Sequence, residues 1–163
     1  MDIAEIARQM IDDSRGNLHD INHFLKVYAY AKIIAECEGL SVREQQTAEI
    51  AALVHDIACP LCRQKYGNTN GKYQEEEGTA LAKEFLRGGQ LPEDVLNRVV
   101  FLVGHHHTYT GVDGPDYRVL LEADFLVNAD ESQYSAEVVR SAKENIFRTK
   151  TGTALLQSVY GVL

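Results

Sequence analysis

Residues 51–60 read AALVHDIACP. Four apolar residues run into an ionisable pair, His55 and Asp56, and apolar residues resume at Ile57. An unpaired carboxylate costs several kcal/mol to bury, roughly, so Asp56 at the end of such a segment requires solvent, hydrogen-bond donors or a cation. Ile50, Leu53, Val54 and Ile57 recur at the spacing of one helix face, which makes the segment a helix whose last turn carries the His-Asp pair.

The surrounding pattern is helical throughout. Ile3, Ile6, Ala7 and Met10 form one face of a helix over 2–11. A second helix starts near Asn17 or Asp20, either able to cap it, and runs to about Cys37 before Gly39. Ser41-Val42-Arg43-Glu44 is a capping box that opens the third, which ends near Ile57. Pro60 and the run from Gly67 to Gly71 read as a long polar loop, and further helices follow at about 75–87, 93–106, 116–130, 134–147 and 153–160. No segment alternates strictly between hairpin turns, so the expected fold is all-α, a compact helical bundle. With 163 residues the chain is expected to be a single domain over 1–163, a motif-bearing core at about 17–130 followed by C-terminal helices over 132–163.

Composition bounds the function. A net charge of -8 offers no basic excess to displace counterions from phosphates, so extended nucleic acid and anionic membrane surfaces are not expected partners. No apolar run approaches a membrane span, and the acidic, amphipathic start MDIAEIARQMIDD is not a secretory signal; a cytoplasmic location is the expectation. Cys37, Cys59 and Cys62 cannot all pair within one chain, and structural disulfides are not expected. Cys59 and Cys62 have the spacing of half a zinc site, but no second close pair completes one; they read as two small buried thiols.

Two other helices repeat the anomaly of the His-Asp pair. Asp124 shares its face with Leu120, Leu121 and Val127, and His23 shares its face with His19, Asp20, Lys26 and Val27 on a helix whose remaining positions are mostly apolar or aromatic. Two imidazoles and two carboxylates suit a borderline or hard divalent ion, whose charge would offset the buried Asp56. Singly, each of these residues also fits a hydrogen-bonded core position.

In order and context these residues resemble the HD-domain metal-dependent phosphohydrolase superfamily, over roughly residues 17–130. His23 in HDINHFLKVYAYA, with Lys26 and Val27 after it, matches the family's first histidine; LVHDIA matches its paired signature, and Asp124 in LLEADFLVN its closing aspartate. The segment KYGNTNGKYQEEEG after the pair looks like a subgroup of small bacterial members. The resemblance implies an orthogonal helical bundle with a divalent ion (Mn, Fe, Co, Ni, Zn or Mg) held by His23, His55, Asp56 and Asp124. It implies hydrolysis of a small phosphate ester, nucleotides included, by metal-activated water, with Asp56 also orienting that water and Lys26 stabilising charge on phosphate. Two-metal members place a further histidine shortly before a glycine in the helix after the pair, where this chain reads Gln74-Glu75-Glu76-Glu77-Gly78. One ion is therefore favoured, with a second through His105, His106 and a carboxylate such as Glu77. Lys65, Tyr66, Lys72 and Tyr73 are candidates for shaping access to the site. A metal- or nucleotide-binding regulatory protein without turnover, and a di-iron oxygenase on the same fold, are the alternatives; the glutamine at position 74 argues against the latter.

Overall fold

The computed structural model describes residues 2–162. Among them are nine α-helices and no strand: α1 (Ile3–Asp13), α2 (Leu18–Cys37), α3 (Val42–Val54), α4 (Cys59–Tyr66), α5 (Gly71–Arg87), α6 (Glu93–Val103), α7 (Pro115–Glu131), α8 (Ala136–Asn145) and α9 (Lys150–Tyr160). The all-α bundle expected from the sequence is the fold found. Asn17 caps α2 through Asp20, and Ser41 with Glu44 forms the expected capping box on α3.

Two helices form the interior. α3 packs against α1, α2, α6 and α7, and α7 packs against α2, α3 and α9. The first half of α3 is polar, but every residue from Thr47 to Val54 is buried. Ala48, Ala51 and Ala52 let neighbouring backbones approach, and Ile50, Leu53 and Val54 fill the space between them. In α7, burial runs unbroken from Val119 to Val127. A helix apolar on all sides must sit inside, so the ends of such helices deliver their terminal residues to the middle of the molecule. That is why His55 and Asp56, just past α3, face the interior.

The expected polar loop around Pro60 is instead interrupted by α4, with Cys59 and Pro60 in its first turn. Proline lacks only an N–H that the first turn leaves unbonded anyway, so Pro60 starts the helix rather than preventing it. Gly67 closes it in the left-handed conformation, φ 71°, and Asn70 caps α5, which begins four residues before the expected start at 75. The C-terminal helices are tied to the core through Glu122. This fully buried carboxylate accepts from the backbone N–H groups of Arg148 (2.6 Å) and Thr149 (3.0 Å) and from the Thr149 hydroxyl (2.5 Å). Tyr160 adds a hydroxyl bond to the Leu126 carbonyl.

Gly152 has no side chain because the Glu122 carboxylate occupies the place a Cβ would take. Gly152→Ala is expected to destabilise the protein by about 1–3 kcal/mol, the usual cost of overpacking, read as a lower denaturant midpoint at unchanged slope. An unchanged midpoint would show that the junction of α7 and α9 is looser than described.

Candidate metal centre

Four helix segments converge on one point. α2 supplies His23 from its second turn, the turn after α3 supplies His55 and Asp56, the segment after α6 supplies His106, and the middle of α7 supplies Asp124. His23 Nε2 lies 3.2 Å from His55 Nε2, 3.2 Å from Asp124 Oδ1 and 3.4 Å from Asp56 Oδ2. His55 Nε2 lies 3.4 Å from Asp124 Oδ1 and 3.5 Å from Asp56 Oδ1, and His106 Nε2 lies 3.4 Å from that same Asp56 oxygen. His55 and His106 are fully buried, whereas the Asp56 side chain is 25% exposed and gives the cluster its contact with solvent.

The hydrogen bonds on the far side of each ring decide what faces inward. His55 Nδ1 is 2.9 Å from the Ala52 carbonyl and His106 Nδ1 is 2.8 Å from the Val103 carbonyl. A carbonyl only accepts, so both Nδ1 atoms carry the proton, and the neutral rings turn Nε2 lone pairs inward. His23 Nδ1 donates likewise to Glu131 Oε2 at 2.7 Å. Three lone pairs and two carboxylates thus meet with no proton among them when the rings are neutral, an arrangement that needs a positive charge. The buried His106 Nε2 has no hydrogen-bond partner among the described residues. The donor set therefore fits a divalent ion, with imidazole and carboxylate ligands of the kind such ions take.

The titration of the metal-free groups expresses the same demand. Burial opposes a proton on His23, but the hydrogen bond to Asp124 and the charges of Asp56 and Asp124 outweigh it and raise its pKa to about 9. Burial alone would raise Asp56 and Asp124; the imidazoles around them win, and both carboxyls stay below the usual carboxylate range.

A second group, Asp56, His106 and His107, adjoins the first and shares Asp56 with it. The buried Nε2 of His107 has no hydrogen-bond partner among the described residues, and burial followed by repulsion from His106 lowers its pKa to about 4. Its ring lies directly on Gly71, where a Cβ would come within 2.6 Å of Cγ, and its backbone N–H donates to Glu75 at 2.9 Å. The expected second set needs two corrections. His105 turns away: its Nδ1 donates to the Phe101 carbonyl at 2.7 Å and its ring stacks on Phe101, so His107 takes its place beside His106. Glu77 is held by Lys65 (2.5 Å) and Tyr66 (2.6 Å) and belongs to neither group.

The first group opens on a cleft of about 210 Å³, lined among others by His19, Asp20, Arg63, Gln74, His107 and Asn128. Lys26 does not line it; its ammonium is 2.5 Å from Glu131 Oε1. Lys65, Tyr66, Lys72 and Tyr73 are also absent from its wall, and Tyr66 and Tyr73 stack on each other instead. Gln74 does line it, pinned through its amide N–H to the Thr69 carbonyl at 2.8 Å. Three participants escaped the sequence reading. Asn128, which donates to Asp124 Oδ1 at 2.8 Å, and Glu131, which carries His23, stand four and seven residues after Asp124, the spacing of one helix face. That signal was present in the sequence. The third, Arg63, lies on α4, where Pro60 signals a loop as readily as a helix start.

Comparison with known proteins yields two matches. The sequence model of the family described as HD domain matches residues 20–139. A crystal structure of a predicted HD superfamily hydrolase from an uncultured Thermotogales bacterium superposes with a TM-score of 0.69 at 24% identity, over 98% of this chain and 83% of that one. No curated protein matches the sequence.

A carboxylate that accepts from the far nitrogen of a ligating histidine fixes the ring and raises its basicity, and losing such a partner typically weakens metal binding by about ten- to a hundredfold. Glu131→Gln is expected to weaken Mn²⁺ binding by about that factor in a competition titration. Equal affinity in the variant would show that the bond to His23 does not matter for the ring.

Proposed function

The chain belongs to the HD-domain family, and on that premise we propose that it is a metal-dependent phosphohydrolase acting on a small phosphate ester, nucleotides included. His23, His55, Asp56 and Asp124 would hold the divalent ion, be it Mn, Fe, Co, Ni, Zn or Mg. A second ion, where one binds, falls to Asp56, His106 and His107. The observation that carries this reading is the convergence of three imidazole Nε2 atoms, each on a ring whose Nδ1 is bonded outward, on two carboxylates at the end of a solvent-connected cleft. When bound, a divalent ion supplies Lewis-acid charge for a phosphoryl oxygen and shifts the pKa of its water toward neutrality.

The chain's own groups do the rest. Asn128 and Glu131 hold Asp124 and His23 in place before any substrate arrives. Asp56, whose side chain is the most exposed of the four, would accept a proton from the attacking water. Water oxygen then bonds to phosphorus in line as the ester P–O bond breaks, the leaving alkoxide takes a proton from solvent in the cleft, and Asp56 returns its own proton to solvent. Asp20, Asp56, Asp124 and Glu131 make the cleft acidic, so a phosphate enters only where cations offset them.

A metal-binding protein without turnover would present the same ligands, and phosphate release distinguishes the two. The metal-reconstituted chain is expected to carry about one tightly held divalent ion and to release phosphate from some of a panel of nucleotides and simple phosphate esters. His55→Ala and Asp124→Ala are expected to lose both the ion and the release. Retention of metal in both variants would reject the site, and absence of phosphate release across the panel and across several metals would reject the enzyme.

A further inference from the structure

We propose that Arg63, oriented by Asp20, is the side chain that grips the phosphoryl group of the substrate; this rests on the phosphohydrolase reading and adds the residue that recognises the anion. α4 begins three residues after Asp56, and Cys59 and Arg63, four apart on it, share a helix face. Both line the cleft together with His23, Asp56 and Asp124. Among the described lysines and arginines, Arg63 alone lines it. Lys26, paired with Glu131 at 2.5 Å, and Lys65, paired with Glu77 at 2.5 Å, do not line it.

The Arg63 guanidinium forks onto both oxygens of Asp20, Nη1 to Oδ1 at 3.3 Å and Nη2 to Oδ2. Asp20 is itself held by the Asn17 side chain at 3.0 Å and stands three residues before His23, so α2 carries both a metal-ligand candidate and the anchor of the arginine. The Asp20 side chain is 16% exposed and that of Arg63 41%, an inner carboxylate holding an outer guanidinium open to the cleft. The two bonds to Asp20 leave donors of the five-donor fork for a ligand. A planar fork of this kind matches two oxygens of a phosphoryl group, whereas an ammonium meets it as a point charge. The fork also brings positive charge to a wall that otherwise carries Asp20, Asp56, Asp124 and Glu131.

The test is calorimetric titration of inorganic phosphate into the metal-loaded full chain, with hydrolysis of p-nitrophenyl phosphate and bound-metal content followed in parallel. Arg63→Met is expected to weaken phosphate binding by about ten- to a hundredfold while the metal content stays that of the wild type. Arg63→Lys should recover part of the loss, and Asp20→Asn should fall between wild type and Arg63→Met. A purely structural ion pair would lower thermal stability in all three variants and leave phosphate affinity alone. Wild-type phosphate affinity in Arg63→Met overturns the proposal, and if that variant also hydrolyses the ester the phosphohydrolase reading survives without it. Weakened phosphate binding in a protein that releases no phosphate supports the Arg63 assignment and removes turnover. No phosphate binding by the wild type overturns the Arg63 proposal, and the parallel hydrolysis of p-nitrophenyl phosphate then decides the phosphohydrolase reading by itself.

Discussion

Two carboxylates, Asp56 and Asp124, stand in the interior of this molecule against three imidazoles whose remaining protons are committed elsewhere. Such a cluster needs positive charge at its centre, because repulsion between carboxylates and between lone pairs is poorly screened away from water. Protons on the rings can supply it, as the raised pKa of His23 shows, and so can a divalent ion. The helices are arranged around this requirement. α3 is polar where it begins and buried where it ends, which drives His55 inward; α7 is buried on all sides from Val119 to Val127, which leaves the cleft as the way from Asp124 to solvent.

The wider surroundings of the cluster hold it in one geometry. Backbone carbonyls of Ala52 and Val103 set two of the rings, and Glu131 sets the third while Lys26 holds Glu131. The lysine that resembles the family's basic residue thus acts here on the carboxylate behind His23. Asn128 completes the set by donating to Asp124. Ligands fixed in advance by their neighbours need no rearrangement when an ion binds, which is the condition for tight and geometrically selective coordination.

Much of this was legible in the sequence because the anomalies were chemical. An acid on the apolar face of 120–127 and a His-Asp pair closing an apolar helix violate the binary pattern of a core, and such violations concentrate at sites. The capping box at Ser41 and the cap at Asn17 were equally plain, since both are local hydrogen bonds written in adjacent residues. What misled was ambiguity that only tertiary packing resolves. Pro60 signals a loop or a helix start with equal force, and α4 with its Arg63 followed from the second reading. Three consecutive histidines after α6 are equivalent in sequence; the turn there sends His105 onto Phe101 and the next two inward. Glu77 is one of three adjacent glutamates, and its partner Lys65 lies on the helix that the sequence reading omitted.

The most direct measurement is anomalous diffraction from crystals of the full chain grown with Mn²⁺. A peak within coordinating distance of His23 Nε2, His55 Nε2 and the carboxylates of Asp56 and Asp124 is the expected result. A fully occupied Mn²⁺ elsewhere, with those four side chains retaining their places around no ion, would contradict the account at its centre.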